Sequence, residues 1–207
     1  MSTEPSSLRV TPGGIDWRRA EFILTGLAFL GFVTLGIRMK TIYSGLPAHP
    51  LFIHVPVVLI PLSVLGALSC ITRPAWFDRY GVLLCLCSIV AMSSIFLAMQ
   101  AGAALESAIQ LTPAQTVLIH EHSHAAHILA IAFVLFTAGL ILTFSAHRIS
   151  GGMPTGLGIA DSLLGSKTNY LVLRIGTVVL ALVCAFYVYR VGDLGAKAVW
   201  LGRLKSS

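Results

Sequence analysis

Apolar residues along the chain fall in long blocks separated by short polar connections. A helix that crosses the hydrocarbon core of a bilayer needs about 20 predominantly apolar residues, because each residue adds about 1.5 Å. Five blocks approach or reach that length: residues 20–37, 51–72, 81–101, 125–146 and 170–189. The pattern therefore predicts an all-α integral membrane bundle of about five transmembrane helices.

The composition supports a membrane location. Hydrophobic residues make up 56% of the chain and charged residues only 11%, against about 25% charged in an ordinary soluble domain. The formal net charge is +6, but the basic residues lie singly near the ends of the blocks instead of forming a stripe. They are typical of anchors at a membrane surface, which makes the lipid bilayer the expected partner and argues against nucleic acid.

The first apolar block differs from the other four in its surroundings. Arg38 and Lys40 follow it where a signal peptide would carry a small-residue cleavage site. We therefore expect residues 1–44 to be a tail and a retained anchor helix, and residues 45–207 to form a four-helix domain with a carboxyl-terminal tail. The connection 102–124 contains no lysine or arginine, which predicts an outer location for it and a cytoplasmic amino terminus.

Six of the seven histidines gather at one predicted membrane boundary. The second and fourth blocks run in the same direction, so their amino-terminal ends share a face of the membrane. These ends carry His49, His54, His120, His122, His124 and His127. An ionisable residue inside the hydrocarbon is costly and is a functional candidate by default. His54 and His127 are the two histidines expected just below the surface.

Haem is the first cofactor that this placement suggests. Two imidazoles from different helices can ligate the iron of a b-type haem while the apolar interior solvates the macrocycle. His54 with His127 or with His124 supplies such a pair, and Arg38 lies at the right level to meet a propionate. Spacings of four and seven put His124 and His127 on one helical face, together with His120, whereas His122 points away.

Three other interpretations of the histidines remain open. The run from His120 to His127 has a composition that can bind zinc, copper or nickel. A second interpretation is that the chain is a cofactor-free accessory protein, which stabilises a larger membrane assembly through faces of small residues. Interfacial histidines can also be merely solvated, which is the plainer interpretation for His49, His120 and His122.

One segment resembles a known family. The residues His49-Pro50-Leu51-Phe52-Ile53-His54-Val55-Pro56 are similar to the opening signature of a bacterial membrane family listed as domain of unknown function 2231. His124 to His127 is similar to the start of a later helix in that family. The segment from Gly192 to Trp200 looks like a looser version of its closing motif.

The resemblance covers roughly residues 45–203 and implies a core of four helices. It directs attention to His49, His54 and His127. The same domain occurs fused to Rieske-type or cytochrome domains, which implies a setting in electron transfer by analogy. Our expectation is therefore a b-type cytochrome-like carrier, or a subunit of a membrane redox complex, in the bacterial inner membrane.

Overall fold

The computed structural model describes residues 42–43, 46–153 and 158–200. The predicted first span at residues 20–37 and the candidate residue Arg38 lie outside these ranges. The four remaining predicted spans all lie within them.

The described chain is helical apart from one minimal strand pair. In chain order the elements are β1 (Ile42–Tyr43), β2 (Leu46–Pro47), α1 (Ala48–Phe52), α2 (His54–Thr72), α3 (Ala75–Ala108), α4 (Pro113–Ser150), α5 (Gly158–Leu164) and α6 (Lys167–Trp200). Strands β1 and β2 pair antiparallel. The two helices α1 and α2 together form one stretch long and apolar enough to cross a bilayer, and α3, α4 and α6 are three more. The predicted all-α membrane architecture is therefore confirmed.

The long helices extend well beyond the apolar blocks that predicted them. Helix α3 has 34 residues and α4 has 38, so they are about 51 and 57 Å long, against a hydrocarbon core of about 30 Å. The prediction of a loop over residues 102–124 is wrong, because only residues 109–112 separate these helices. Hydropathy marks the part of a helix inside lipid and not where the helix ends.

The early start of α4 has a local cause. Thr112 accepts a hydrogen bond from the backbone N–H of Gln115, and the Gln115 side chain accepts one from the backbone N–H of Thr112. This reciprocal capping box satisfies two N–H groups that a helix start leaves unpaired, and Pro113 fits the first helical position. The helix thus begins about three turns before the apolar block at residue 125.

The four long helices pack in a closed ring in the order α2, α3, α4, α6, with α6 returning to α2. The most extensive contact lies between α4 and α6. The core contains fully buried aromatic and aliphatic side chains, including Phe133, Phe136 and Leu140 on α4. Small residues face the neighbouring helices elsewhere, such as Ala67 on α2 and Ala91 on α3, which have no exposed surface. Close helix approach through small residues is typical of membrane bundles.

The outer surface of the bundle is apolar. Helix α6 exposes more than half of each of a series of large side chains: Leu171, Val172, Ile175, Val179, Leu182 and Phe186. A continuous apolar surface of this kind is a liability in water but matches the acyl chains of lipid. The burial pattern therefore supports the bilayer as the surrounding medium.

Candidate functional site

The candidate site lies at one end of the bundle, where α1 and α4 begin and α3 and α6 end. We call this the histidine end, because six described histidines lie in α1, in the first residue of α2 and in the early part of α4. His49 is the second residue of α1 and is half-buried. Its Nδ1 atom lies 2.8 Å from the backbone carbonyl oxygen of Ala98 on α3. The ring therefore fastens α1 to α3.

His122 makes the corresponding contact between the other two helices. It is half-buried, and its Nδ1 atom lies 3.0 Å from the backbone carbonyl oxygen of Val191 on α6. The rings of His49 and His122 lie nearly perpendicular to each other, with centroids 6.5 Å apart and planes at 88°. The two contacts join α1 to α3 and α4 to α6, and the two rings lie next to each other. We call His49 and His122 the histidine pair.

A glycine makes each of the two carbonyl contacts possible. Side chains on a helix lean toward its amino terminus, so residue i+4 normally covers the carbonyl of residue i. Gly102 stands four residues after Ala98, and Gly195 four residues after Val191. A Cβ atom at Gly102 would come within 3.1 Å of the His49 ring, and one at Gly195 within 3.2 Å of the His122 ring. The missing side chain leaves room for an imidazole against the helix backbone.

The hydrogen bonds also fix where the proton lies on each ring. A carbonyl oxygen can only accept, so Nδ1 donates in both histidines. In the neutral imidazole the other nitrogen, Nε2, then carries a free lone pair. Histidines that bind metals commonly donate one ring N–H to a backbone carbonyl in this way, which orients the ring and raises its basicity. Both members of the histidine pair are held in the tautomer that can ligate a metal through Nε2.

The other sequence-predicted residues lie on the outside of the bundle. His54 is the first residue of α2 and is exposed, as are His124 and His127 on α4. The His127 ring bonds the carbonyl of Ser123 in its own helix at 2.8 Å. No ring contact in the described part of the chain joins His54 to His127. Their role as ligands stays a prediction, and the histidine that lies against His49 is His122.

That partner, His122, is the residue that the sequence analysis undervalued. The assignment of His120, His124 and His127 to one face of α4 and of His122 to another agrees with their burial, but the packed face is the one that carries His122. Spacings of three, seven, eleven and fourteen from His122 reach the buried residues Ala125, Leu129, Phe133 and Phe136. This apolar stripe was readable in the sequence and points to His122.

Metal sites with more ligands are not found in the described ranges. No group of three or more histidine, cysteine, aspartate or glutamate side chains there could hold a metal ion. The run His120 to His127 is helical instead of a loop. The histidine pair is a smaller cluster, with two imidazoles.

The opposite end of the bundle holds a second polar cluster. The Nε2 atom of His147 on α4 lies 3.0 Å from Oδ1 of Asp78 on α3, and its ring lies 5.5 Å from that of Phe77. Arg174 on α6 donates to the carbonyl of Ile71 at the end of α2, at 2.7 Å. These contacts fasten α3 to α4 and α6 to α2, which is a structural role.

Fold and site together define a polytopic helical membrane protein with an interhelical histidine pair at one end. The model of the family described as predicted membrane protein (DUF2231) matches residues 45–207. The chain belongs to this family. No curated protein and no solved structure matches the chain.

Proposed function

We propose that the chain is a b-type haem-binding subunit of a membrane electron-transfer system, in which His49 and His122 would hold the iron. The observation that carries the proposal is the geometry of the histidine pair. The rings come from two different helices, their centroids are 6.5 Å apart, and each Nδ1 donates a hydrogen bond to a backbone carbonyl.

The donor set fits a haem iron. The centroid separation of 6.5 Å is compatible with two imidazoles that share one metal ion, because each metal–nitrogen bond is about 2 Å. The space that Gly102 and Gly195 leave beside the rings is a further feature that a ligand-holding role explains. Two imidazoles that come from different helices of a bundle are a suitable set of donors for a b-type haem.

When bound there, haem would supply one-electron redox chemistry. The residues of the chain would do three things: His49 and His122 hold the iron, the carbonyls of Ala98 and Val191 orient the rings, and the surrounding helices cover part of each ring. The resemblance to a bacterial membrane family and the lysine-free connection support a place in the bacterial inner membrane with a cytoplasmic amino terminus. Other membrane redox subunits are the expected partners.

The visible spectrum of the purified full chain, expressed with ample haem, tests the proposal. We expect a b-type spectrum that His49→Ala and His122→Ala each abolish or shift, because each removes an axial bond. His122→Met restores a ligand atom and should retain haem with a raised potential. His54→Ala and His127→Ala are matched controls at the same end of the bundle, and both should leave the spectrum unchanged.

Two results would contradict the proposal in different ways. A colourless wild-type protein would exclude haem altogether. A red protein whose spectrum depends on His54 and His127, but not on His49 and His122, would restore the ligands predicted from sequence. Size-exclusion profiles of every variant check that the bundle remains folded.

A further inference from the structure

A groove on the outer surface of the histidine end has a composition that the histidine pair does not explain. It lies between α4 and α6 and has a volume of about 560 Å³, within the range of small-molecule sites. Four of its lining side chains are polar and exposed: His120, Glu121, His124 and Arg190. Ile128 and Phe186 are among the apolar residues that line it.

The polar and apolar parts of the groove are separated along the bundle axis. The fourth predicted span begins at residue 125 and the fifth ends at residue 189, so the four polar side chains lie outside the hydrocarbon. Ile128 and Phe186 lie inside it. The groove therefore crosses the level at which the head group of an amphiphile meets its tail.

An exposed apolar track continues from the groove into the membrane. Phe186 is preceded by Leu182, Val179 and Ile175, at distances of four, seven and eleven residues, which places all of them on one face of α6. Each exposes more than half of its surface. A hydrocarbon tail of a molecule held in the groove would lie along this face.

The charges of the groove favour a neutral head group. The groove holds one guanidinium, from Arg190, and one carboxylate, from Glu121, whose formal charges cancel. A phosphate would meet that carboxylate, whereas phosphate sites generally collect several cations. A ring that bears two oxygens is better matched, because Arg190 and the imidazoles can donate to carbonyls, and Glu121 and the imidazoles can accept from hydroxyls.

We infer that this groove binds the head group of a lipid-soluble quinone or quinol. The site is next to the histidine pair: Glu121 precedes His122, and Arg190 precedes Val191, whose carbonyl His122 contacts. The groove and the histidine pair therefore share the same two helices, α4 and α6, at adjacent positions in the sequence. The inference rests on the proposed function only for the role of the quinone as an electron-transfer partner, and the binding itself needs no haem.

Quinone binding to haem-free protein tests the inference separately from the proposed function. The full chain is placed in phosphatidylcholine nanodiscs and titrated with a ubiquinone that carries one isoprene unit, with heat of binding as the readout. Arg190→Gln and His124→Ala should each weaken binding tenfold or more. His54→Ala, an exposed histidine at the same end but outside the groove, should change the affinity by less than twofold.

The alternative occupant is a phospholipid head group. Nanodiscs that contain phosphatidylglycerol separate the two, because an anion site would lose quinone binding in them and a quinone site would keep it. Three results would each overturn the inference. They are loss of quinone binding in the nanodiscs that contain phosphatidylglycerol, no quinone binding at all, and equal affinity in all variants. A colourless protein that binds quinone would overturn only the haem proposal, and a red protein that does not would overturn only the quinone site.

Discussion

The two imidazoles of the histidine pair are held by the same local device on different helices. Each Nδ1–H donates to a carbonyl oxygen of a neighbouring helix, and that oxygen also accepts a backbone hydrogen bond within the neighbouring helix. Each ring lies over the glycine one turn after the carbonyl. A carbonyl oxygen has two lone pairs and can accept both bonds. The arrangement requires that residues 102 and 195 have no Cβ atom, so a glycine-to-alanine substitution at either position tests it.

Gly195→Ala should disturb His122, whereas Gly192→Ala on the same helix should not. The added Cβ at residue 195 meets the ring at 3.2 Å, and at residue 192 it meets no atom within 4 Å. Alanine is otherwise the better helix former by about 0.5–1 kcal/mol. We expect Gly195→Ala to be less stable than Gly192→Ala by about 1–2 kcal/mol, since the His122 hydrogen bond is weakened.

Thermal unfolding in detergent measures this difference, and haem retention gives a second readout. Gly195→Ala should retain less haem than the wild type and Gly192→Ala as much. Equal stability and equal retention in the two variants would mean that the close contact of His122 with α6 is unimportant.

At the scale of helices, α4 and α6 share a buried polar contact. The hydroxyls of Thr143 and Thr177 lie 3.0 Å apart in the core, and both side chains are almost fully buried. A double-mutant cycle with Thr143→Val and Thr177→Val should give a coupling free energy near 0.6 kcal/mol and below about 1.7 kcal/mol, the range of interhelical hydrogen bonds in membranes. Additive effects of the two single variants would show that the contact contributes nothing.

Helices α3 and α4 approach each other closely at Gly81. A Cβ there would clash with the ring of Phe144, which itself packs against Phe77 with centroids 5.9 Å apart. Gly81→Ala should therefore lower the free energy of unfolding by about 1–3 kcal/mol, the usual cost of overpacking. Gly176→Ala, where no atom lies within 4 Å, is the control and should be neutral or stabilising in the same unfolding assay.

The sequence predicted the presence of the helices better than it predicted where each helix ends or which of its faces packs against the bundle. Apolar blocks located the four described spans, because lipid requires a long apolar run. The polar turns of α3 and α4 beyond those blocks were missed, since caps such as Thr112 and Gln115 determine where a helix begins. The choice of His54 and His127 weighted depth in the membrane, whereas the helix-packing face brings His122 to His49.

At the scale of the whole molecule, the order of the helices fixes which connections share a side. Reporter fusions after Gln110 and after Trp200 should lie on one side of the membrane, and fusions after Arg73 and after Gly152 on the other. The orientation predicted from the charges puts Gln110 outside. Activity patterns that separate Gln110 from Trp200 would contradict the four-helix arrangement, and a cytoplasmic Gln110 would reverse the predicted orientation.

The shortness of the connection between α3 and α4 has a consequence for any redox centre at the histidine end. Both imidazoles are fastened to helix backbone, and only residues 109–112 at that end join the two helices. Ligands held this firmly have nearly the same positions before and after an electron arrives, because their surroundings are preorganised. Movement of the ligands would therefore contribute little to the reorganisation energy of a centre bound by His49 and His122.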